Sequence, residues 1–424
     1  MGTEKRKDDA YSQAVASGRY VRETGVHGKY DNVRVYWEDE VTRFFMRPHL
    51  ERMLQRRTDE GKGVRIIDLG CGSGDGYELL MQMFRSDLNL SACEGYLISE
   101  AHLDHYRGIE INRDLLSQNA ERWGENPRMA CTWGDFSDGL PVEPEEPPFD
   151  IYLTSYGALS HLSEDQTVRL FCDIVRHAED GAVLVGDWLG RYSYEWQQLW
   201  DAAPSGEQWM DYFISYIYPE DQRDQVDLTP LHLRLLSREE ISGIANRVKA
   251  ETGIHLEVQE VFDRSVFVGR HMDTGDYNAH LKAAFRRETN ALFERNLRTP
   301  LDRLLIDYHP HPEAASANRF FEQFQFCWNT LIEYTFDLCR TCDEKGTVAN
   351  ESLPKIPSCP DALKAGMLRI RRVIQELEGF QMGDARANVI EPQLACALRD
   401  LEMALQQGAG NGHGLVGVFT VRKP

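Results

Sequence analysis

Glycines at alternate positions in Asp68-Leu69-Gly70-Cys71-Gly72-Ser73-Gly74-Asp75-Gly76 directly follow the apolar run Val64-Arg65-Ile66-Ile67. Without Cβ atoms such a loop can turn tightly and bring its backbone close to a ligand, and a helix opening behind it presents its first N–H groups to the same place. The pattern therefore predicts a buried strand, a ligand-cradling turn and a helix. The dinucleotide fingerprint G-x-G-x-x-G is not met. Counted from Gly70 its third glycine falls on Asp75, and counted from Gly72 on Tyr77. An acid at Asp68 would also repel a pyrophosphate, whereas it suits an ammonium group.

Strand and helix patterns alternate from here on. Further strands are expected at Gly108–Ile111, Arg128–Trp133, Phe149–Thr154, Ala182–Trp188 and Ile254–Phe262. Capping boxes at Ser163-x-x-Gln166 and Ser237-x-x-Glu240 open two of the helices between them. Val183-Leu184-Val185 is apolar throughout, as befits a central parallel strand buried on both faces. After Asp276 the texture is helical, with long helices expected at Tyr277–Leu297, Asn318–Cys342, Asp361–Phe380 and Ala387–Gln407, and strand character returns from Gly414. The fold class is α/β: a Rossmann-like, seven-stranded, mostly parallel sheet with helices on both faces. An N-terminal helical lid (1–62) precedes it. The sheet domain (63–275) is completed by the strand 413–424, and a large α-helical accessory domain (276–412) is inserted before that strand. The competing reading makes 265–271 the seventh strand.

Two more acids fall at strand ends. Glu110 closes the second strand, where one carboxylate can accept hydrogen bonds from both hydroxyls of a ribose. Asp135, in Trp133-Gly134-Asp135-Phe136, closes the third and could accept from an exocyclic amine while Phe136 covers the ring. Carboxylates for an ammonium, a ribose and an amine describe S-adenosylmethionine better than a phosphate-bearing nucleotide.

On these residues the chain, over about 64–190, resembles the class I S-adenosylmethionine-dependent methyltransferases. The resemblance implies that Asp68, Gly70, Cys71, Gly72 and Gly74 surround the methionine portion. It also implies that Glu110 and Ile111 take the ribose, Asp135 and Phe136 bracket the adenine, and Ser155 lies beside the cofactor after the fourth strand. The 36 positions from Gly74 to Glu110 are long for that family and imply an insertion over Leu88–Tyr106.

Methyl transfer from a sulfonium is a direct displacement, so alignment and exclusion of water matter more than any one catalytic side chain. Ten aromatic residues stand between Trp188 and Tyr218, in a chain that is 10% aromatic overall. Trp188, Tyr192 and Trp196 are the candidate acceptor contacts there, joined by Tyr30 and Trp37 from the lid. His161 and Glu195 are the candidate bases. Core packing is the competing explanation for the aromatics. The expected function is methylation of a small-molecule acceptor, a natural-product or metabolic scaffold. Alternatives are a protein or RNA methyltransferase, or a non-catalytic S-adenosylmethionine-binding scaffold.

Composition bounds the partners. Forty-seven basic against 68 acidic residues give a net charge of −21, a field that repels nucleic acid. No apolar run is long enough to span a membrane, the charged start lacks a signal-peptide core, and nine scattered cysteines suit a reducing compartment, so a cytoplasmic location is expected. The single Cys339-x-x-Cys342 is too few ligands for zinc, so no metal is expected. A homodimer through the helical region is possible.

Overall fold

The computed structural model describes residues 4–20, 25–86, 91, 95–200, 206–223, 225–281, 285–346, 348, 353–354, 356, 359–377 and 383–424. In chain order its elements are α1 (Glu4–Ala16), α2 (Asp39–Asp59), β1 (Val64–Leu69), α3 (Asp75–Met81), β2 (Leu103–Glu110), α4 (Arg113–Trp123), β3 (Met129–Trp133), β4 (Ile151–Leu153), α5 (Glu164–His177) and β5 (Val183–Gly190). There follow β6 (Gln208–Tyr212), α6 (Glu220–Arg223), β7 (Leu231–Leu236), α7 (Arg238–Thr252), β8 (His255–Arg264), α8 (Phe285–Ala291), α9 (Ala315–Lys345), α10 (Asp361–Gln375), α11 (Glu391–Leu405) and β9 (Gly414–Arg422).

Seven strands form the main sheet in the order β3-β2-β1-β4-β5-β9-β8, with β9 antiparallel to both of its neighbours. This is the Rossmann-like, mostly parallel sheet expected from the sequence. The last residues of β5, Leu189 and Gly190, also pair with β7, which with β6 makes an antiparallel ribbon continuing the same sheet. Nine strands therefore stand among the described residues where seven were expected, because the aromatic residues of the ribbon were read as an acceptor pocket or as core packing and not as strands.

Burial on both faces explains the near-continuous apolar strands. Ile66, Ile151, Leu153, Val183, Val185, Val416 and Val418 point to one face, beneath α2, α3 and the helices after β8. Ile67, Leu69, Tyr152, Leu184, Leu415 and Phe419 point to the other, against α5 and α7. Each fully buried aliphatic chain contributes roughly 1.5–3 kcal/mol. Both expected capping boxes form, at Ser163–Gln166 and Ser237–Glu240.

β2 begins at Leu103, earlier than read, and residues 88–90 and 92–94 of the expected insertion lie outside the described residues. Residues 265–269 are not a strand, and the chain turns over Arg270–Asp273. Of the helix expected at Tyr277–Leu297 the described residues show α8 among turns, with 282–284 outside the described residues. The expected Asp361–Phe380 helix is seen to Gln375, with 378–380 outside the described residues, and α11 is entered through a wider π turn at Arg386–Ile390. The N-terminal segment is tied down by buried charge. Asp31 receives two hydrogen bonds from the Arg286 guanidinium, both 2.7 Å, and Glu38 pairs with Arg286 at 2.7 Å and Arg270 at 3.2 Å.

Candidate functional site

The carboxyl ends of β1, β2, β4 and β5 open onto a cavity of about 190 Å³. In open α/β sheets ligands bind at this edge, because the loops there are free to diverge. Gly70, Gly72 and Gly74 all adopt positive φ (80°, 52° and 93°), a conformation that costs other residues about 1–2 kcal/mol. Gly70 and Gly72 line the cavity, and a Cβ on Gly72 would meet nothing within 4 Å, so the loop is an open cradle. Gly74 faces away. A Cβ there would stand 2.6 Å from the Trp123 indole nitrogen, so this glycine lets α4 pack on the loop.

Glu110 fastens the cradle. One carboxylate oxygen accepts from the Gly72 N–H at 2.9 Å and the other from the Asn112 N–H at 2.8 Å. Burial raises its pKa, and these backbone donors oppose the shift. In register, Leu69 pairs with Ile109 and Glu110 with Trp133, which sets Glu110 one step past the end of β1 despite the long α3–β2 connection. Ile111, Asp135, Phe136, Ser155 and Cys71 join Glu110 in the cavity lining. Asp135 is shaped by a turn in which its Oδ1 accepts from the Ser137 N–H at 2.8 Å.

Asp68 is not in that lining. It is fully buried beneath the loop, where its Oδ2 accepts from the Tyr106 hydroxyl at 2.5 Å and its Oδ1 has no partner among the described residues. It lies directly under Gly76, where any side-chain carbon would collide with the carboxylate. Burial pushes its pKa up to about 7. Asp75 supplies a carboxylate on the cavity side instead. Burial alone would raise its pKa, but Lys29 at 2.8 Å and Arg34 hold it well below the usual range.

The N-terminal segment contributes residues other than those expected. Tyr11, Tyr20, Lys29, Arg34 and Glu38 line the cavity. Tyr30 sits one layer out, its hydroxyl donating to Asp75. Trp37 is fully buried in the core, where its indole N–H donates to Glu402 at 2.9 Å and its ring packs on Trp328. The Arg34 guanidinium lies 3.4 Å over the Tyr156 ring. Tyr156 has φ +57°, held there by the Asp187 carboxylate accepting its N–H at 2.8 Å.

Among the ten aromatics of 188–218, Tyr212 and Tyr216 line the cavity. Trp188, Tyr192 and Trp196 lie outside the lining. Trp188 packs on Phe171 under the sheet, Tyr192 on Trp200, and Trp196 donates to the Gly190 carbonyl at 2.8 Å. His161 does line it, with Nε2 3.3 Å from the Tyr11 hydroxyl. Glu195 is set behind the wall and fully buried, 2.7 Å from His413, whose ring does reach the cavity. Sequence reasoning passed over His413, although Gly408-x-Gly410-x-Gly412-His413-Gly414 is a second glycine-dense turn before a strand. No group of His, Cys, Asp and Glu able to hold a metal occurs among the described residues.

No family model matches the chain, and no curated protein matches it. Among solved structures, it is similar to an S-adenosylmethionine-dependent methyltransferase from Clostridium acetobutylicum, at 15% identity over 51% of this chain and 83% of the other, with a TM-score of 0.30. The glycopeptide N-methyltransferase MtfA matches at 17% identity over 50% of this chain and 83% of its own, TM-score 0.31. The CcbJ methyltransferase from Streptomyces caelestis matches at 16% identity over 46% and 74%, TM-score 0.30. At TM-scores this far below 0.5, what the cavity can hold rests on its own residues.

Proposed function

We propose that this chain is a class I S-adenosylmethionine-dependent methyltransferase that acts on a small-molecule acceptor inside the cavity. One observation carries the reading. An open cradle of alternate glycines is strapped by Glu110 at the end of β2, with Asp135 following at the end of β3, all on one cavity. Those carboxylate acceptors suit a ribose and an amine-bearing ring, and the N–H groups of Gly70, Cys71, Gly72 and Gly74 are already bonded within the protein rather than offered to a pyrophosphate.

Gly70 and Gly72 would admit the methionine portion, with Lys29 and Arg34, which Asp75 holds on the cavity side of the loop, for its carboxylate. Glu110 and Ile111 would take the ribose, while Asp135 and Phe136 would bracket the adenine. The bound cofactor supplies an electrophilic methyl group on a sulfonium. The chain's part is to hold that methyl in line with the acceptor and to keep water out. Tyr11 and Tyr20 cover one side, and Leu189, Ile214, Leu231 and Leu233 form an apolar wall on another. A concave cavity of this size with an apolar stretch of wall favours a small molecule over a polymer.

Thermal unfolding of the full chain with S-adenosylmethionine, S-adenosylhomocysteine or NAD tests the reading. The first two should raise Tm in a concentration-dependent way, and NAD should leave it unchanged. Stabilisation by NAD alone would overturn it.

A further inference from the structure

Two thiols meet over β2, where a strand residue has no side chain to keep them apart. Gly108 pairs with Asp68 of β1 on one side and with Cys131 of β3 on the other. A Cβ on Gly108 would stand 2.7 Å from the Cys131 sulfur, 2.7 Å from the Cys71 sulfur and 3.2 Å from the Cys71 Cβ. Both sulfurs therefore occupy space that any other residue at 108 would fill, and they lie no further apart than twice 2.7 Å. Each is a free cysteine.

The two differ in access and in acidity. Cys71 is buried between Gly70 and Gly72 of the cradle, with Nδ2 of Asn119 from α4 lying 3.9 Å from its sulfur, and it belongs to the cavity lining. Cys131 is only half-buried, on β3 at the edge of the sheet, so it is the more accessible of the pair. The hydrogen bond between the thiols pushes the Cys71 pKa well up, with burial adding to it, and draws the Cys131 pKa down. The thiolate is the reactive form, so the cysteine that solutes reach is also the one that ionises more readily. Burial pushes Cys172, Cys327 and Cys339 up to about 11 and keeps them protonated near neutrality.

We propose that a hydroperoxide oxidises Cys71 and Cys131 to a reversible disulfide, and that this bond pulls the glycine cradle away from its ligand. The consequence for S-adenosylmethionine rests on the methyltransferase reading above. The Cys131 thiolate attacks the terminal peroxide oxygen; a sulfur–oxygen bond forms as the oxygen–oxygen bond breaks, and an alcohol (water, from hydrogen peroxide) leaves with the thiol proton. Cys131 is then a sulfenic acid. The Cys71 sulfur attacks the Cys131 sulfur, the disulfide forms as the sulfur–oxygen bond breaks, and the hydroxyl leaves as water with the Cys71 proton. The two thiols have given up two electrons and two protons, and the peroxide has taken them. A disulfide holds its sulfurs about 2.05 Å apart, closer than unbonded sulfurs can stand. Cys71 is therefore drawn over Gly108 as the bond closes, and Gly70 and Gly72 move with it. A small dithiol restores both thiols by exchange.

The test treats the full chain with hydrogen peroxide, blocks the remaining thiols with N-ethylmaleimide and maps its peptides without reductant by mass spectrometry. A peptide pair joined through Cys71 and Cys131 is expected, lost on treatment with dithiothreitol and absent from Cys131→Ser and Cys131→Ala. In parallel titrations, oxidised wild type should bind S-adenosylhomocysteine about tenfold more weakly than reduced wild type. Dithiothreitol should restore the affinity, and the Cys131 variants should keep the reduced affinity through peroxide treatment, which also shows that they are folded. Three results would each overturn the proposal: both thiols still free after peroxide, Cys131 oxidised to a sulfinic acid while Cys71 reacts with maleimide, or a 71–131 disulfide that leaves the affinity unchanged. Reduced wild type that fails to bind S-adenosylhomocysteine would instead remove the methyltransferase reading and the control of cofactor binding with it, and the peptide map decides the disulfide in either case.

Discussion

A carboxyl group sealed beneath a loop carries an electrostatic cost that varies with pH. Asp68 has a folded pKa of about 7 against an ordinary 3.8, because burial disfavours its anion. Its raised value means that its contribution is most favourable below the unfolded pKa and is lost as pH rises from about 4 to about 7. The full span is on the order of 4 kcal/mol. Asp68→Asn keeps an acceptor for the Tyr106 hydroxyl and removes the charge. It should therefore be more stable than wild type by at least about 1 kcal/mol at pH 8, with the gap closing by pH 4. Urea unfolding at both pH values measures this, and a pH-independent difference would refute the buried-anion explanation. At Gly74 the constraint is steric. Positive φ and the contact with Trp123 together mean that Gly74→Ala should cost about 1–3 kcal/mol, read by the same unfolding experiment. Residue types and spacing made the glycine cradle, Glu110, Asp135 and Phe136 legible in the sequence. They could not separate Asp68, which supports the loop, from Asp75, which faces the cavity, because both flank the same glycines and only the strand's pleat decides between them.

At the scale of elements, α1 brings Tyr11 to the cavity wall. It is held by Ser12 to Asn112 at 3.1 Å, Tyr11 to His161 at 3.3 Å and Gln13 to the Asp227 carbonyl at 2.5 Å, and it carries no ion pair among its described side chains. A position at the cavity wall suits an element that opens for ligand exchange. Removing residues 1–20 should speed S-adenosylhomocysteine dissociation by about tenfold or more in stopped-flow measurements. An unchanged rate would mean that α1 does not cover the ligand. A covering N-terminal segment was readable from the sequence, but its contact residues were not. Tyr30 and Trp37 are the conspicuous aromatics, whereas Tyr11, Tyr20 and Arg34 reach the cavity. The ribbon β6–β7 was hidden for a related reason: Gln208–Tyr212 is too short to show a period, and its partner Leu231–Leu236 lies 19 residues downstream (231 − 212).

For the molecule as a whole, the decisive feature is that β9, the last strand, lies between β5 and β8. The sheet cannot close until the helices between β8 and β9 have been placed, and they are joined to the N-terminal segment through Trp37, Glu402 and Trp328. Chemical denaturation should therefore give one transition whether followed by far-ultraviolet circular dichroism or by tryptophan fluorescence. Trp37→Ala should lower stability by about 3–5 kcal/mol without splitting that transition. Two separable transitions would mean that the helices fold on their own. The strand–helix alternation and the return of strand character at Gly414 made this architecture readable. The pairing of the carboxylate in one segment with a histidine some two hundred residues later was not, because nothing local ties Glu195 to His413. The most direct measurement is calorimetric titration of wild type and Glu110→Ala with S-adenosylmethionine. Saturable wild-type binding, weakened tenfold or more (at least about 1.4 kcal/mol) by loss of the carboxylate that straps the cradle, is the expected result. No wild-type binding, or an affinity indifferent to Glu110, would contradict the assignment of this cavity to S-adenosylmethionine.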